Sequence, residues 1–314
     1  MRQNRHVREI TSAGKTHPLA GVYGAAVTPF DADFRPAIDE LPRLLDFLAS
    51  RGCHGALLLG TTGEGPSCSP GEREAIMRAA AGWRASRPDF RLLAGTGTPS
   101  LEETSQLTRL AFDLGFEGVV VLPPYYFRNA SDEGLFGWFN QLMEKAVPRD
   151  GYVMGYHFPG TAGIGFSLEL IRWLKDAFPQ QFAGLKDSSH DQEFSETLGQ
   201  RFGPSLTILS GTDSHFLHAL EHGAAGCITA PANLLSPELR SIYDAYREGL
   251  EASEMQARVS RERLALEHHV PFAPTLKAIL HRKHGLPLWS VKPPLRKVNE
   301  DEVVQAIAEL EAAA

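Results

Sequence analysis

Short apolar runs rich in strand-forming residues alternate with amphipathic stretches along this chain from Leu19 onward. Eight such runs occur, at 21–27, 55–59, 91–95, 118–122, 152–157, 182–186, 206–210 and 226–229. Most are apolar nearly throughout, which is typical of strands buried on both faces of a parallel sheet. Eight strands with helical stretches between them predict an α/β fold, the (β/α)8 or TIM barrel, which takes about 250 residues. An open doubly wound sheet is the alternative, and the lack of a strong break favours closure.

The stretches between the runs carry apolar residues at three- and four-residue spacing, as helices that cover a sheet do. They predict helices over 38–49, 70–83, 101–114, 133–146, 168–177, 192–200 and 214–222. The strand pattern ends near residue 246, and helices are predicted beyond it at 252–269, 273–284 and 301–313. We therefore expect a polar extension over 1–17, a barrel domain over 18–245 and a C-terminal helical extension over 246–314.

Charge and composition exclude several classes of protein. With 31 Lys and Arg against 38 Asp and Glu, the net charge is −7, so a basic footprint for nucleic acid or anionic membrane is lacking. No apolar run approaches the roughly 20 residues that span a bilayer, and the first 17 residues lack the apolar segment of a secretory signal. Three scattered cysteines without a CxxC pair indicate reduced thiols. These features favour a cytoplasmic protein with small-molecule partners.

Reactive side chains are expected at the carboxyl ends of the strands, where barrel enzymes place their sites. The most informative is Lys186, which ends the sixth predicted strand after Ala183 and Leu185. A lysine in so apolar a place is partly desolvated, which favours the free amine. A free amine attacks a ketone to form a Schiff base, and the protonated imine withdraws electrons from an adjacent carbon–carbon bond. Taken alone, a lysine at a strand end is more often a surface residue or half of an ion pair.

Two further strand ends support a reactive role for Lys186. Tyr156 ends the fifth strand at the matching height, where a phenol can carry protons to and from the carbinolamine and the product oxygen. The turn 60–63 (G-T-T-G) follows the second strand and offers backbone N–H groups and two hydroxyls that can hold a small carboxylate. Without Lys186, the tyrosine could simply pack in the barrel mouth and the turn could be an ordinary connection.

In chain order, these motifs resemble those of the dihydrodipicolinate synthase / N-acetylneuraminate lyase family. They are G-T-T-G-E at 60–64, P-x-Y-Y at 123–126, Y-x-x-P at 156–159 and G-x-K-D at 184–187, and the likeness extends from residue 21 to residue 228. The resemblance implies a class I pyruvate aldolase or lyase on a barrel with a C-terminal helical bundle. It also implies a homotetramer and no cofactor or metal, because the chemistry uses a covalent lysine–pyruvate Schiff base.

The family's functional residues can be carried over position by position. The resemblance implies that Lys186 forms the Schiff base with pyruvate or another 2-oxo acid and that Tyr156 is the general acid and base. Thr62, with its backbone and that of Thr61, would hold the pyruvate carboxylate. Thr61 would also relay protons between Tyr156 and Tyr126, a tyrosine that in many members enters a neighbouring subunit's site. Two further positions match residues that line the pyruvate pocket, Gly211 and Ile228.

One position departs from the synthase pattern. Dihydrodipicolinate synthases carry an arginine five positions after the strand-five tyrosine, where it helps to bind the second substrate's carboxylate. The matching residue here is Thr161, and a hydroxyl cannot replace the charged, two-point grip of a guanidinium. Thr161 therefore favours a neutral, hydroxyl-rich aldehyde, as in 2-keto-3-deoxygluconate-type aldolases, which split a 2-keto-3-deoxy sugar acid into pyruvate and an aldehyde. A rearranged Arg128 would restore the synthase, and a 2-keto-3-deoxy acid dehydratase would use the same lysine.

Two alternatives belong to other classes. His215, His218 and His222 lie three and four residues apart and could bind the metal of a metal-dependent aldolase. Because their predicted helix leads away from the barrel mouth, we expect no catalytic metal there. The other alternative is a barrel that binds a 2-oxo acid without turnover, and the presence of both Lys186 and Tyr156 disfavours it.

Overall fold

The computed structural model describes residues 17–314, in which the predicted runs form a closed barrel with strands in chain order. The strands are β1 (Gly21–Ala25), β2 (Gly55–Leu58), β3 (Arg91–Gly95), β4 (Gly118–Val121), β5 (Tyr152–His157), β6 (Phe182–Asp187), β7 (Thr207–Ser210) and β8 (Gly226–Thr229). Each strand pairs in parallel with the next, and β8 closes on β1. The prediction of a (β/α)8 barrel is confirmed. The polar extension predicted over 1–17 lies, apart from His17, outside the described residues.

Helices cover the outside of the barrel and continue beyond β8. They are α1 (Leu41–Ser50), α2 (Pro70–Arg84), α3 (Leu101–Asp113), α4 (Asp132–Ala146), α5 (Pro159–Ala162), α6 (Leu168–Ala177), α7 (Gln192–Phe202), α8 (Phe216–Glu221), α9 (Ala232–Arg247), α10 (Ser253–Glu267), α11 (Phe272–His284) and α12 (Glu300–Ala313). Within residues 17–314, no helix combines the length and apolar character that crossing a membrane requires.

Two helical segments differ from the predicted pattern. The helix predicted over 214–222 divides into a 3-10 turn, Asp213–His215, and the shorter α8, because the backbone of His215 (φ −125°, ψ 27°) is not helical. The buried Asp213 side chain pairs with Arg263 of α10. The long helix α9 was not predicted, since Pro237 and a non-helical Leu235 interrupt its apolar spacing. Both departures depend on contacts or kinks that a simple helical period does not represent.

Strand side chains alternate between the barrel interior and the helix layer. Interior positions form one apolar cluster that includes Tyr23, Leu57, Met154, Tyr156, Leu209 and Ile228. Outward positions pack against the helices in a larger cluster that includes Leu58, Leu92, Val119, Val153 and Leu185. This alternation decides which residues near the strand ends can reach a substrate in the barrel mouth.

A β-bulge between β5 and β6 sets the register at the barrel mouth. The pairing shifts so that Ala183 of β6 is left without a partner on β5. The next position, Gly184, requires glycine, because a Cβ there would lie 1.9 Å from the carbonyl oxygen of Thr207. Beyond the bulge, the pairing resumes with Met154 opposite Gly184 and brings Tyr156 opposite Lys186. The extra residue therefore decides which β6 side chain faces Tyr156.

Candidate active site

Lys186 and Tyr156 lie side by side on β6 and β5 and face the barrel interior. Their Cα atoms are register partners, and Lys186 Nζ lies 4.0 Å from the centroid of the Tyr156 ring. Both residues are buried, with 4% and 5% of their surface exposed. The Tyr156 ring also stacks on Phe158, with 5.6 Å between the centroids. An amine and a phenol thus meet inside an enclosure made largely of apolar side chains.

The two predicted pocket residues lie at the next two strands, Gly211 just after β7 and Ile228 on β8. Ile228 of β8 is fully buried in the interior cluster that contains Tyr156. Gly211 follows β7, and its N–H donates to the carbonyl oxygen of Asp187 at 2.6 Å. A Cβ at Gly211 would stand 1.9 Å from Ser188 Oγ, so a side chain there would displace the segment that follows Lys186.

The turn after β2 presents unpaired backbone donors. Within the described residues, nothing accepts from the N–H groups of Thr61 and Thr62. Thr62 is buried, whereas Thr61 is exposed. The turn begins and ends at non-glycine residues with left-handed backbone, Leu59 (φ 58°) and Glu64 (φ 55°), a conformation that costs of order 1–3 kcal/mol per residue and is often found at functional sites. The arrangement suits a small anion.

The C-terminal region fixes this turn through a buried ion pair. Lys277 of α11 donates to Glu64 Oε1 at 2.5 Å and to the carbonyl oxygen of Ser290 at 2.7 Å. The second carboxylate oxygen of Glu64 accepts from the backbone N–H of Lys292 at 2.7 Å. Burial lowers the pKa of Lys277 to about 8, against the opposing effect of Glu64. The C-terminal region is therefore part of the support of the candidate site.

Replacing Lys277 by Met should leave the Glu64 carboxylate buried without its charged partner. We expect the free energy of unfolding to fall by about 3–5 kcal/mol, the range for breaking a buried ion pair, as measured by urea denaturation. The double variant Glu64→Gln/Lys277→Met is the control and should recover part of the loss, because no unpaired charge remains. A Lys277→Met protein as stable as the wild type would show that the pair does not hold the turn.

His157 and Asp187, the residues that follow Tyr156 and Lys186, face outward and hold the ends of β5 and β6 against the helices. His157 stacks on Phe194 of α7 with 4.4 Å between centroids, and its Nδ1 accepts from the Phe166 N–H at 2.8 Å. Burial lowers the pKa of His157, which keeps the ring neutral and Nδ1 free to accept. Asp187 accepts a short hydrogen bond from Ser195 of α7. These supporting roles were not predicted from the sequence. Strand alternation could have indicated them, because the neighbours of inward-facing strand residues face outward.

Tyr126, the predicted relay residue, lies at the surface and not in the buried pair of Lys186 and Tyr156. Tyr126 is 76% exposed and contacts Phe127 edge to face. In the part of the chain that the structure describes, no hydrogen bond links Tyr126 to Thr61. The predicted relay is therefore not assembled within one chain.

The second-substrate position lies on the short helix α5. Thr161 is exposed there and donates its backbone N–H to the carbonyl oxygen of Phe158 at 3.1 Å. The Arg128 side chain, from the loop after β4, lies against Gly163, where a Cβ would stand 2.5 Å from Arg128 Cδ. The Arg128 side chain therefore packs against the residue two positions after Thr161 in the chain.

Residues 18–313 match the model of the dihydrodipicolinate synthetase family. The chain belongs to this family and is a pyruvate-dependent lyase, as the family resemblance in its sequence indicated. The match spans the barrel and the C-terminal helices together.

Relatives and solved structures agree with this assignment. A protein named uncharacterized DapA-like lyase from Chloroflexus aurantiacus is 39% identical over 288 residues, which cover 90% of this chain and 93% of the relative. A 4-hydroxy-tetrahydrodipicolinate synthase of Synechococcus sp. (strain CC9605) is 31% identical over 295 residues, which cover 90% and 92%. YagE, a prophage protein of the dihydrodipicolinic acid synthase family from E. coli K12 solved in complex with pyruvate, superposes with a TM-score of 0.87 at 26% identity, covering 94% of this chain and 98% of that one.

Proposed function

We propose that the protein is a class I aldolase that joins or separates pyruvate and an aldehyde through a Schiff base on Lys186. The observation that carries the proposal is the buried contact of the Lys186 amine with the Tyr156 ring, 4.0 Å from its centroid. The amine is held inside the barrel beside a phenol, where it can attack a keto carbon that enters from the barrel mouth. Tyr156 supplies the proton donor and acceptor that imine formation and hydrolysis require.

The Lys186 amine attacks the keto carbon of the 2-oxo acid, and loss of water from the carbinolamine gives the protonated imine. In the cleavage direction, the aldol hydroxyl loses its proton, the carbon–carbon bond breaks, and the electron pair moves into an enamine as the aldehyde leaves. A proton is then added to the enamine carbon, and water releases pyruvate. Tyr156 carries protons to and from the oxygen atoms, and the free N–H groups of Thr61 and Thr62 bind the carboxylate.

The proposed substrate is a 2-keto-3-deoxy sugar acid. Thr161 supports this choice, because an exposed hydroxyl suits a neutral aldehyde with several hydroxyl groups better than a carboxylate. A second candidate, 4-hydroxy-tetrahydrodipicolinate synthase acting on pyruvate and aspartate semialdehyde, is favoured by Arg128. Its side chain packs against Gly163 and could supply a cation near the position where synthases have arginine.

A substrate panel separates these functions. Purified protein is incubated with 2-keto-3-deoxy sugar acids, and released pyruvate is measured; a second arm measures pyruvate consumption with aspartate semialdehyde. We expect turnover in the first arm at a kcat/KM at least tenfold above the second. Turnover with aspartate semialdehyde alone would assign the synthase. Loss of water without pyruvate release would assign a dehydratase, and binding without turnover in any arm would assign a 2-oxo acid binding protein.

Thr161→Arg tests which residue faces the second substrate. The added guanidinium should lower kcat/KM for a neutral aldehyde and raise it for aspartate semialdehyde by about tenfold to 100-fold, since a hydrogen bond to a charged group contributes about 1.5–3 kcal/mol. Steady-state kinetics on both substrates give the measurement. Thr161→Gln, similar in length but uncharged, is the matched control and should not gain aspartate semialdehyde activity. Unchanged kinetics in Thr161→Arg would place residue 161 outside the substrate site.

We also propose that catalysis uses no metal and that the chain assembles as a homotetramer. Prolonged dialysis against EDTA should leave turnover unchanged, because every step above uses protein groups. The exposed Tyr126 and Phe127 side chains support assembly, since a second copy would cover them. Sedimentation velocity should give four times the mass of the chain. A monomeric enzyme with full activity would exclude a role for Tyr126 across a subunit boundary.

A further inference from the structure

Three metal-ligating side chains meet outside the barrel, between α7 and α8. Glu196 of α7, with His218 and His222 from α8 and its C-terminal end, place one ligand atom each within 4.8 Å of the others. They line a cavity of about 120 Å³ between the two helices. The Glu196 and His218 side chains are only 34% and 32% exposed, so they are held against the protein surface rather than extended into solvent.

The hydrogen bonds of the two histidines orient them for a metal. His222 donates from Nδ1 to the carbonyl oxygen of His218 at 2.8 Å. This bond fixes the tautomer and leaves Nε2 as the ligand atom, as in most metal-bound histidines. His218 Nε2 lies 2.9 Å from Glu196 Oε1 and 3.1 Å from the Gln192 amide nitrogen, so a metal ion would take the place of these hydrogen bonds. The spacing of four residues between the histidines is that of helical zinc ligands.

We propose that Glu196, His218 and His222 form a binding site for a divalent transition metal of the Zn²⁺ class. Two imidazoles and one carboxylate match the preference of Zn²⁺ and exclude Mg²⁺ and Ca²⁺, which take oxygen ligands. A tetrahedral zinc with bonds of about 2.0–2.1 Å keeps its ligand atoms about 3.4 Å apart. The 2.9 Å between His218 Nε2 and Glu196 Oε1 would open slightly to that distance, and the other pairs, which lie within 4.8 Å, would close by at most about 1.4 Å. Water fills the fourth position.

The metal would tie α7 to α8 and would not enter the Schiff-base chemistry. Glu196 follows Ser195, whose hydroxyl binds Asp187, and Asp187 follows Lys186 on β6. A metal at Glu196 therefore stabilises the helix that holds the end of the lysine strand. The proposed ligands differ from the three histidines considered in the sequence. Glu196 takes the place of His215, which lines the cavity but is outside the ligand group.

Co²⁺ binding to the untagged full-length chain tests the site. Titration of the metal-free protein with Co²⁺ should produce the d–d absorption of a low-symmetry, four- or five-coordinate ion, saturating at one equivalent, and Zn²⁺ should abolish it. We expect Glu196→Gln and His222→Ala each to weaken binding about tenfold or more. His215→Ala, in the same cavity, is the matched control and should bind like the wild type. Zn²⁺ should also raise Tm by a few degrees in the wild type and in His215→Ala only.

Three results would overturn the proposal. The first is the absence of saturable Co²⁺ binding in a protein that circular dichroism shows to be folded. The second is binding that survives in the double variant Glu196→Gln/His222→Ala. The third is an equal loss in His215→Ala, which would place the ligands elsewhere in the cavity. Turnover after EDTA treatment is a separate readout, so failure of this site leaves the aldolase proposal intact.

Discussion

Lys186→Ala should remove turnover entirely while leaving the fold intact. The amine is the atom that forms the covalent bond to substrate, and removal of such a nucleophile typically costs about 10⁵-fold or more in kcat. We expect pyruvate release to fall to the uncatalysed rate, as measured by steady-state and single-turnover assays. Circular dichroism and Tm should remain close to the wild type, because the alanine places no new polar group or charge in the barrel interior.

Lys186→Arg is the matched control for this variant. Arginine places a positive charge at the same position but forms no imine, since its guanidinium stays protonated. Both variants should be inactive if covalent chemistry at residue 186 is required. If Lys186→Arg retained substantial activity, the lysine would act through its charge alone, and the Schiff-base mechanism would be wrong.

Tyr156→Phe should slow turnover by about 10²–10⁴-fold, the usual range for losing a positioned general acid or base. The substitution keeps the ring and with it the stacking on Phe158 and the contact with Lys186 Nζ. A loss of rate therefore reports the hydroxyl and not the packing. The measurement is kcat with the best substrate of the panel, together with the rate at which the pyruvate imine forms.

Tyr156→Leu provides the comparison for packing. It removes the ring as well as the hydroxyl, so it should lower Tm, whereas Tyr156→Phe should not. A Tyr156→Phe enzyme at the wild-type rate would limit Tyr156 to a structural part of the barrel mouth. Proton transfer would then have to be assigned to another group near Lys186.

The barrel could be predicted because its strands are short, apolar and buried on both faces. The runs 91–95, 152–157 and 226–229 coincide with β3, β5 and β8, and the other strand ends differ by one or two residues. Buried parallel strands leave this signal because nearly every position must be apolar. The helix over 232–247 escaped it, since Pro237 and the kink at Leu235 break the helical period.

The candidate site was predictable as a set of residues but not as a geometry. Lys186 and Tyr156 are recognisable at the ends of their strands, yet their direct pairing depends on the bulge at Ala183. Likewise, the turn after β2 is held by Lys277, which lies 213 residues from Glu64 in the chain. Local sequence patterns reveal neither a one-residue shift in strand register nor a contact between such distant residues. Both features are visible only in the three-dimensional structure.

The decisive experiment must distinguish Lys186 from Lys277, a second buried lysine whose pKa burial lowers to about 8. The wild-type chain is incubated with pyruvate, reduced with borohydride, and analysed by intact mass and by peptide mapping. Our account predicts one adduct per chain, attached to Lys186 and absent from Lys186→Ala. An adduct on Lys277, or none on a folded and active enzyme, would contradict it.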